Sequence, residues 1–167
     1  MKLIKNINVY APEHLGNKDV LIIGDKIAKI EEAGCMPEIP YLTAEDIIDG
    51  SGKILTPGFI DCHVHILGGG GEGGFANRTP EATVEGLTKF GVTTVVGCLG
   101  TDGIGRDMCA LVAKAKGLCE QGMSAYCYTG SYQIPVTVKL PEGFELLDNV
   151  VADVTISEIT NADSNNG

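Results

Sequence analysis

Residues 57–72 read P-G-F-I-D-C-H-V-H-I-L-G-G-G-G-E and gather the side chains best suited to chemistry. Asp61, His63 and His65 alternate with Ile60, Cys62, Val64 and Ile66. Residues 59–67 are rich in apolar and β-branched types, which predicts a strand. On a strand, residues two apart share a face. Asp61, His63 and His65 are therefore expected to point one way and the apolar set the other, giving one face for chemistry and one for packing. Two imidazoles side by side can bind a divalent metal, and Asp61 can orient a ring or touch the metal itself. A metal so held can polarise a carbonyl and lower the pKa of a bound water toward ~7, chemistry suited to amide hydrolysis. Glycines 68–71 let the chain leave the strand without a side-chain barrier, and they end on a carboxylate, Glu72. A lone His-x-His, a glycine run or a loop acid is each commoner as an incidental feature than as a site. Here the pair comprises two of only three histidines and all these features fall together.

The elements that must position these residues come in two patterns. Residues 1–56 read as short strands at 3–10, 19–23, 26–31, 46–49 and 53–55. Gly24-Asp25 suits a two-residue hairpin turn with glycine first. His14, in A-P-E-H-L-G, reads as a surface histidine. From residue 57 the pattern becomes strand, loop, helix. The glycine loop is followed by a helix predicted near 80–90, with Thr79 as N-cap, Pro80 in the first turn and Gly91 at the stop. A strand over 93–99 leads through loop 100–105 to a helix near 106–121, whose Leu111, Val112, Ala115, Leu118 and Cys119 recur at helical spacing before Gly122. A strand over 124–128 leads through a loop containing 129–135 to a weaker helix near 144–152, and 154–159 suits a fourth strand. Such alternation implies parallel pairing and right-handed crossovers. In a β/α barrel, chemistry sits at the C-terminal ends of the strands. The loops there carry Glu72, then Thr101 and Asp102, then Tyr132, and should converge beside His63 and His65.

Composition narrows the function classes. The chain has 167 residues, 44% hydrophobic and 20% charged, enough for an ordinary globular core. A net charge of −10 argues against a nucleic-acid partner. No apolar run reaches the length of a membrane span, and residues 1–8 lack a signal-peptide pattern, so a cytoplasmic location is expected. The six cysteines form no C-x-x-C pair, so a structural zinc site is not expected and buried free thiols are.

P-G-F-I-D-C-H-V-H resembles the first barrel strand of the amidohydrolase superfamily, whose members hydrolyse amides, ureas and esters with one or two metals. The longer run H-V-H-I-L-G-G-G-G-E resembles the isoaspartyl dipeptidase (β-aspartyl peptidase) family. So do R-T-P-E at 78–81, G-V-T-T-V-V-G-C-L-G-T-D at 91–102 and T-G-S-Y-Q-I-P at 129–135. The resemblance implies an α/β fold: a half-sandwich β region over 1–56, then the first three to four β/α units of an incomplete TIM-type barrel over 57–159. A disordered polar tail is expected at 160–167. It also implies that His63 and His65 bind the more buried ion of a two-zinc centre and that Glu72 holds the substrate's α-amino group. Gly70 and Gly71 would lie in the same substrate loop, Thr101 would contact substrate, and Tyr132 would stand against the scissile carbonyl as an oxyanion donor. The partner so implied is a small-molecule dipeptide, with no nucleic acid or membrane, and homo-oligomerisation is compatible with it.

The resemblance weakens after residue 135. The family's fourth-strand bridging ligand is a carboxylated lysine or a glutamate. No lysine follows Lys139, and Glu158 is the only glutamate near that point. The later histidines, aspartate and arginines of the family are not found. The expectation is an N-terminal fragment of a zinc-dependent dipeptidase with an incomplete metal site, inactive by itself and weak in metal binding. The alternatives are a binding or structural remnant of the fold, or another amidohydrolase activity such as hydantoinase-like hydrolysis of cyclic amides.

Overall fold

β-Branched and alternating stretches at the N-terminus pair into a five-stranded sheet. Its strands are β1 (Lys2–Tyr10), β2 (His14–Ile23), β3 (Lys26–Glu32), β4 (Ile47–Asp49) and β5 (Ile54–Leu55). This is a computed structural model; it describes residues 1–71, 73–130 and, for the backbone, 150–153. The chain divides into two units, Met1–Pro57 and one beginning at Gly58. In the first, β3, β2 and β1 run antiparallel in that order, while β4 and β5 lie parallel to β1. Gly24 takes a positive φ of 61° in the β2–β3 turn, as a turn with glycine first requires. His14 opens β2, exposed, with its ring stacked on Tyr10 and its Nε2 2.6 Å from Asn8 Oδ1.

Ile4, Ile7, Val9 and Val20 form the small core of this unit, with Ile22 and Leu55 against it. Between Ile4 and Ile7 the β1–β2 register slips and Asn6 adopts φ 54°. Asp19, 1% exposed, holds that irregularity. Its Oδ1 accepts from Asn6 N at 2.9 Å and its Oδ2 from Gly34 N at 3.0 Å. Removing the carboxylate leaves two backbone donors without their partner. Asp19→Ala is therefore expected to lower stability by about 2 kcal/mol. The check is urea denaturation of the variant, with Asp19→Asn falling between it and the parent.

The second unit is a parallel sheet in the order β6 (Phe59–Val64), β7 (Val92–Gly97), β8 (Ser124–Thr129), β9 (Val150–Asp153). Helices α1 (Val84–Thr88) and α2 (Met108–Glu120) fill the first two crossovers. α2 starts at Asp107, whose side chain accepts from Ala110 N at 2.8 Å. Met108, Leu111, Val112, Ala115 and Leu118 line its buried face and meet Ile66, Leu67, Val95, Met123, Ala125 and Cys127 in one core. Among the described residues no helix is long and apolar enough to cross a membrane.

Three sequence expectations are corrected. The first helix begins at Val84 rather than near residue 80, because Thr83 caps it by accepting from Gly86 N, while Thr79 is engaged elsewhere. Residues 150–152, expected to end a helix, pair with β8 as a strand, since the β-branched pair Val150-Val151 suits a parallel ladder. Ile60 and Cys62, expected to pack, are exposed, Ile60 by 70%. Among the described residues β6 is the edge of the sheet, and α1 reaches the core through Val84 and Leu87 without covering Ile60 or Cys62. The expected helix over 144–149, the strand over 154–159 and the tail over 160–167 lie outside the described residues.

Candidate metal centre

β6 and β7 deliver the chemistry at their C-terminal ends. Asp61 pairs with Val95 and Val64 with Gly97, so three steps along β6 match two along β7. Such a bulge kinks a strand and re-aims its side chains. His63 and His65 emerge with ring centroids 5.5 Å apart, edge to face at 89°. Cys98 follows β7 directly and donates its backbone N–H to Val64 O at 2.9 Å, tying the two strand ends together. Its Sγ lies 3.5 Å from His65 Nδ1, and its carbonyl oxygen 3.3 Å from the same nitrogen. One donor atom from each of His63, His65 and Cys98 falls within 4.8 Å of the others. His63 is exposed, His65 half-buried, and Cys98 8% exposed.

Asp61 does something narrower than the sequence allowed. Its Oδ1 accepts from His63 N at 3.1 Å, bracing the backbone of the first histidine, and the three-donor group does not include it. Burial pushes the Cys98 thiol up to about 11, and the nearby Asp61 carboxylate adds to the effect. The thiol thus keeps its proton at neutral pH unless a cation takes it, and a coordinated metal does so outright. Nitrogen and sulfur donors at strand ends, one side open to solvent, fit a zinc-type ion.

The glycine loop folds back on itself beside this group. Gly71 N donates to Asn77 O at 2.7 Å, Thr79 N to Gly69 O at 3.0 Å, and Gly70 bridges Arg78. Gly69 N also donates to Thr79 Oγ1 at 2.6 Å, which occupies the hydroxyl that the sequence suggested as a helix cap. Gly70 has φ 81°, and a Cβ there would stand 2.5 Å from Asn77 O. Gly71, at φ 115°, sits where a Cβ would meet Asp102 Cβ at 3.2 Å. Both positions need glycine for conformation and for room. Gly69 and Gly100 flank the His65 ring, a Cβ on either coming within 3.5 or 3.4 Å of it.

Asp102 holds this loop. Its side chain is 4% accessible. Oδ1 accepts from Gly105 N at 2.8 Å and Ile104 N at 3.1 Å, while Oδ2 accepts from Arg78. Arg106 Nη1 lies 4.0 Å from the same oxygen and donates to Gly69 O at 3.1 Å, and its Nη2 donates to Thr79 O at 3.1 Å. The Gly105 amide, then Ile104, Arg78 and Arg106, hold the Asp102 carboxyl below the usual carboxylate range. Next to it, Thr101 Oγ1 is buried with no hydrogen-bond partner among the described residues. The structure thus brings His63, His65, Gly70, Gly71 and Thr101 to neighbouring loops, while Glu72 and Tyr132 lie outside the described residues. The sequence reading missed Cys98 as a donor, and it missed the Arg78–Asp102–Arg106 network. T-D-G-I-G at 101–105 carried the one available signal, an aspartate set to cap its own following amides.

No family model matches the chain. Two solved β-aspartyl dipeptidase structures from the thermophilic keratin degrader Fervidobacterium islandicum AW-1 do. One, in complex with a β-Asp-Leu dipeptide, is 45% identical with a TM-score of 0.78, covering 93% of this chain and 40% of that one. The other has the same identity and coverage of this chain, a TM-score of 0.79 and 42% of its own length covered. A dihydroorotase of Staphylococcus aureus is 39% identical over 95 residues, 57% of this chain and 20% of its own length. The chain therefore spans about two fifths of the solved relatives and about a fifth of the curated one. By sequence and fold it corresponds to the N-terminal part of an isoaspartyl (β-aspartyl) dipeptidase, within the amidohydrolase superfamily.

Proposed function

We propose that the chain serves as the N-terminal part of a zinc-dependent hydrolase that cleaves β-aspartyl dipeptides. The observation that carries this reading is the His63–His65 pair at the end of β6, with the glycine hairpin folded against the His65 ring. The chemistry that a divalent metal supplies when held there is polarisation of an amide carbonyl and acidification of water. His63 and His65 provide the imidazole donors, and Asp61 accepts from the backbone amide of His63. Asp102 and the two arginines close the hairpin. Glu72 offers an anion to the substrate's α-ammonium group. Gly70 and Gly71 let the backbone approach the dipeptide closely. Thr101, whose buried hydroxyl has no hydrogen-bond partner among the described residues, is assigned a contact to substrate. Tyr132 is assigned a phenolic donor role toward the developing oxyanion.

The test grafts residues 1–153 in place of the matching segment of the Fervidobacterium islandicum dipeptidase and assays β-Asp-Leu. Hydrolysis that disappears in a His63→Ala, His65→Ala double variant is the expected result. A second reading, hydrolysis of a cyclic amide, draws on the dihydroorotase likeness. Turnover of a hydantoin or dihydroorotate without turnover of β-Asp-Leu would establish it instead. A folded graft that retains zinc but turns over none of these would point to a remnant without catalysis.

A further inference from the structure

We propose that Cys98 is a third protein ligand of the metal centre, so that one ion is held by two imidazoles and a thiolate. The inference rests on the metal-centre reading above and adds a ligand to it. His63 and His65 leave one strand end and Cys98 the next, and their donor atoms already lie within 4.8 Å of one another. Zinc bonds of ~2.3 Å to sulfur and ~2.0–2.1 Å to nitrogen, at a tetrahedral angle, separate the two donors by about 3.6 Å. Cys98 Sγ and His65 Nδ1 stand 3.5 Å apart.

The competing use of Nδ1 is weaker. Its separation from Cys98 O is 3.3 Å, outside the range of roughly 2.7–3.2 Å for N–H···O hydrogen bonds. The carbonyl contact is a long hydrogen bond, and coordination through Nδ1 would replace it. The Cys98 thiol has two contacts, 3.5 Å to His65 Nδ1 and a longer one of 3.7 Å to Val64 O. As the sulfur bonds the ion, its proton leaves to solvent and no oxidation state changes. Cys62, next to His63 in sequence, is outside the donor group. A thiolate shifts the site's preference toward zinc and away from magnesium or manganese.

The test uses the 167-residue chain loaded with Co²⁺ alone and, separately, with Zn²⁺ alone. The cobalt protein should show a near-ultraviolet thiolate-to-cobalt charge-transfer band. The band should vanish in Cys98→Ser, leave visible d–d bands from the histidine donors, and survive Cys62→Ser. Zinc X-ray absorption of the unmodified chain should show one sulfur at ~2.3 Å beside nitrogen at ~2.0–2.1 Å. That measurement decides the matter if circular dichroism shows Cys98→Ser to be unfolded. Metal uptake with nitrogen and oxygen ligands only, or a charge-transfer band that outlives Cys98→Ser, overturns the thiolate ligand and leaves the histidine centre standing. Failure of the chain to take up either ion overturns the thiolate ligand, while the histidine centre is judged by the grafted dipeptidase.

Discussion

Replacing Asp102 by alanine is expected to loosen the glycine hairpin and to cost about 10²-fold in turnover in the grafted dipeptidase. The carboxylate is the common anchor of two guanidinium groups and two backbone amides. Without it, Arg78 and Arg106 stand close together with their shared anion gone, and Arg106 loses the partner that fixes its grip on Gly69 O and Thr79 O. The hairpin abuts the His65 ring, so its displacement moves substrate-facing backbone relative to the metal donors. Misplacement by about 1 Å can cost roughly 10²-fold. Hydrogen exchange of amides 69–79 should accelerate in the variant while α2 and β7 keep their protection. Unchanged exchange in the hairpin would sink the anchoring role whatever the kinetics show.

The same network has a defined pH dependence. The folded Asp102 carboxyl titrates below its unfolded value of ~3.9. A depressed carboxylate contributes stability that is fully present above the unfolded value and is lost as pH falls through the folded one. The hairpin should therefore keep its protection at neutral pH and lose it only below about pH 4. Asp102→Asn, which cannot titrate, should flatten that acid limb.

How much of this was legible in the sequence depended on whether a signal was local. β7, β8 and α2 follow from local runs of apolar residues, as Leu111, Val112, Ala115 and Leu118 ahead of Gly122 show for α2. The sequence reading put the cap of α1 at Thr79, whereas Thr83 caps it. The choice between them was made by Gly69, ten residues away from Thr79, through hydrogen bonds to its side chain and backbone. The histidine pair was legible because both rings come from one short stretch, although β6 ends at Val64 and His65 lies just past it rather than in the expected strand over 59–67. Cys98 was not, since its role as a donor exists only when β7 is laid beside β6 in a register that a bulge has shifted. A buried thiol in an apolar run looks the same in sequence whether it packs or ligates. Asp102 was readable as a turn aspartate, but its hold on Arg78, twenty-four positions earlier, was not.

Removing the charge of Glu72 is expected to have the largest kinetic effect of any change outside the histidines. The residue follows Gly71 in a loop whose flanks are pinned by the hairpin bonds and by Asp102. A β-aspartyl dipeptide carries a free α-ammonium group next to the scissile side-chain amide, and such a group needs an anionic partner when it leaves water. Truncating one member of a buried charge pair costs roughly 2–5 kcal/mol, which corresponds to about 30- to 5,000-fold in turnover per unit substrate. Glu72→Gln in the grafted enzyme should therefore lose that factor on β-Asp-Leu. N-acetyl-β-Asp-Leu, which has no ammonium group, should be a comparably poor substrate for the parent. The decisive feature is the interaction between the two changes. If Glu72 acts through the ammonium group, combining Glu72→Gln with the acetylated substrate should cost little more than either alone. Fully multiplicative losses would show that Glu72 acts elsewhere, and equal turnover of the free and acetylated dipeptides by the parent would remove its assigned role altogether.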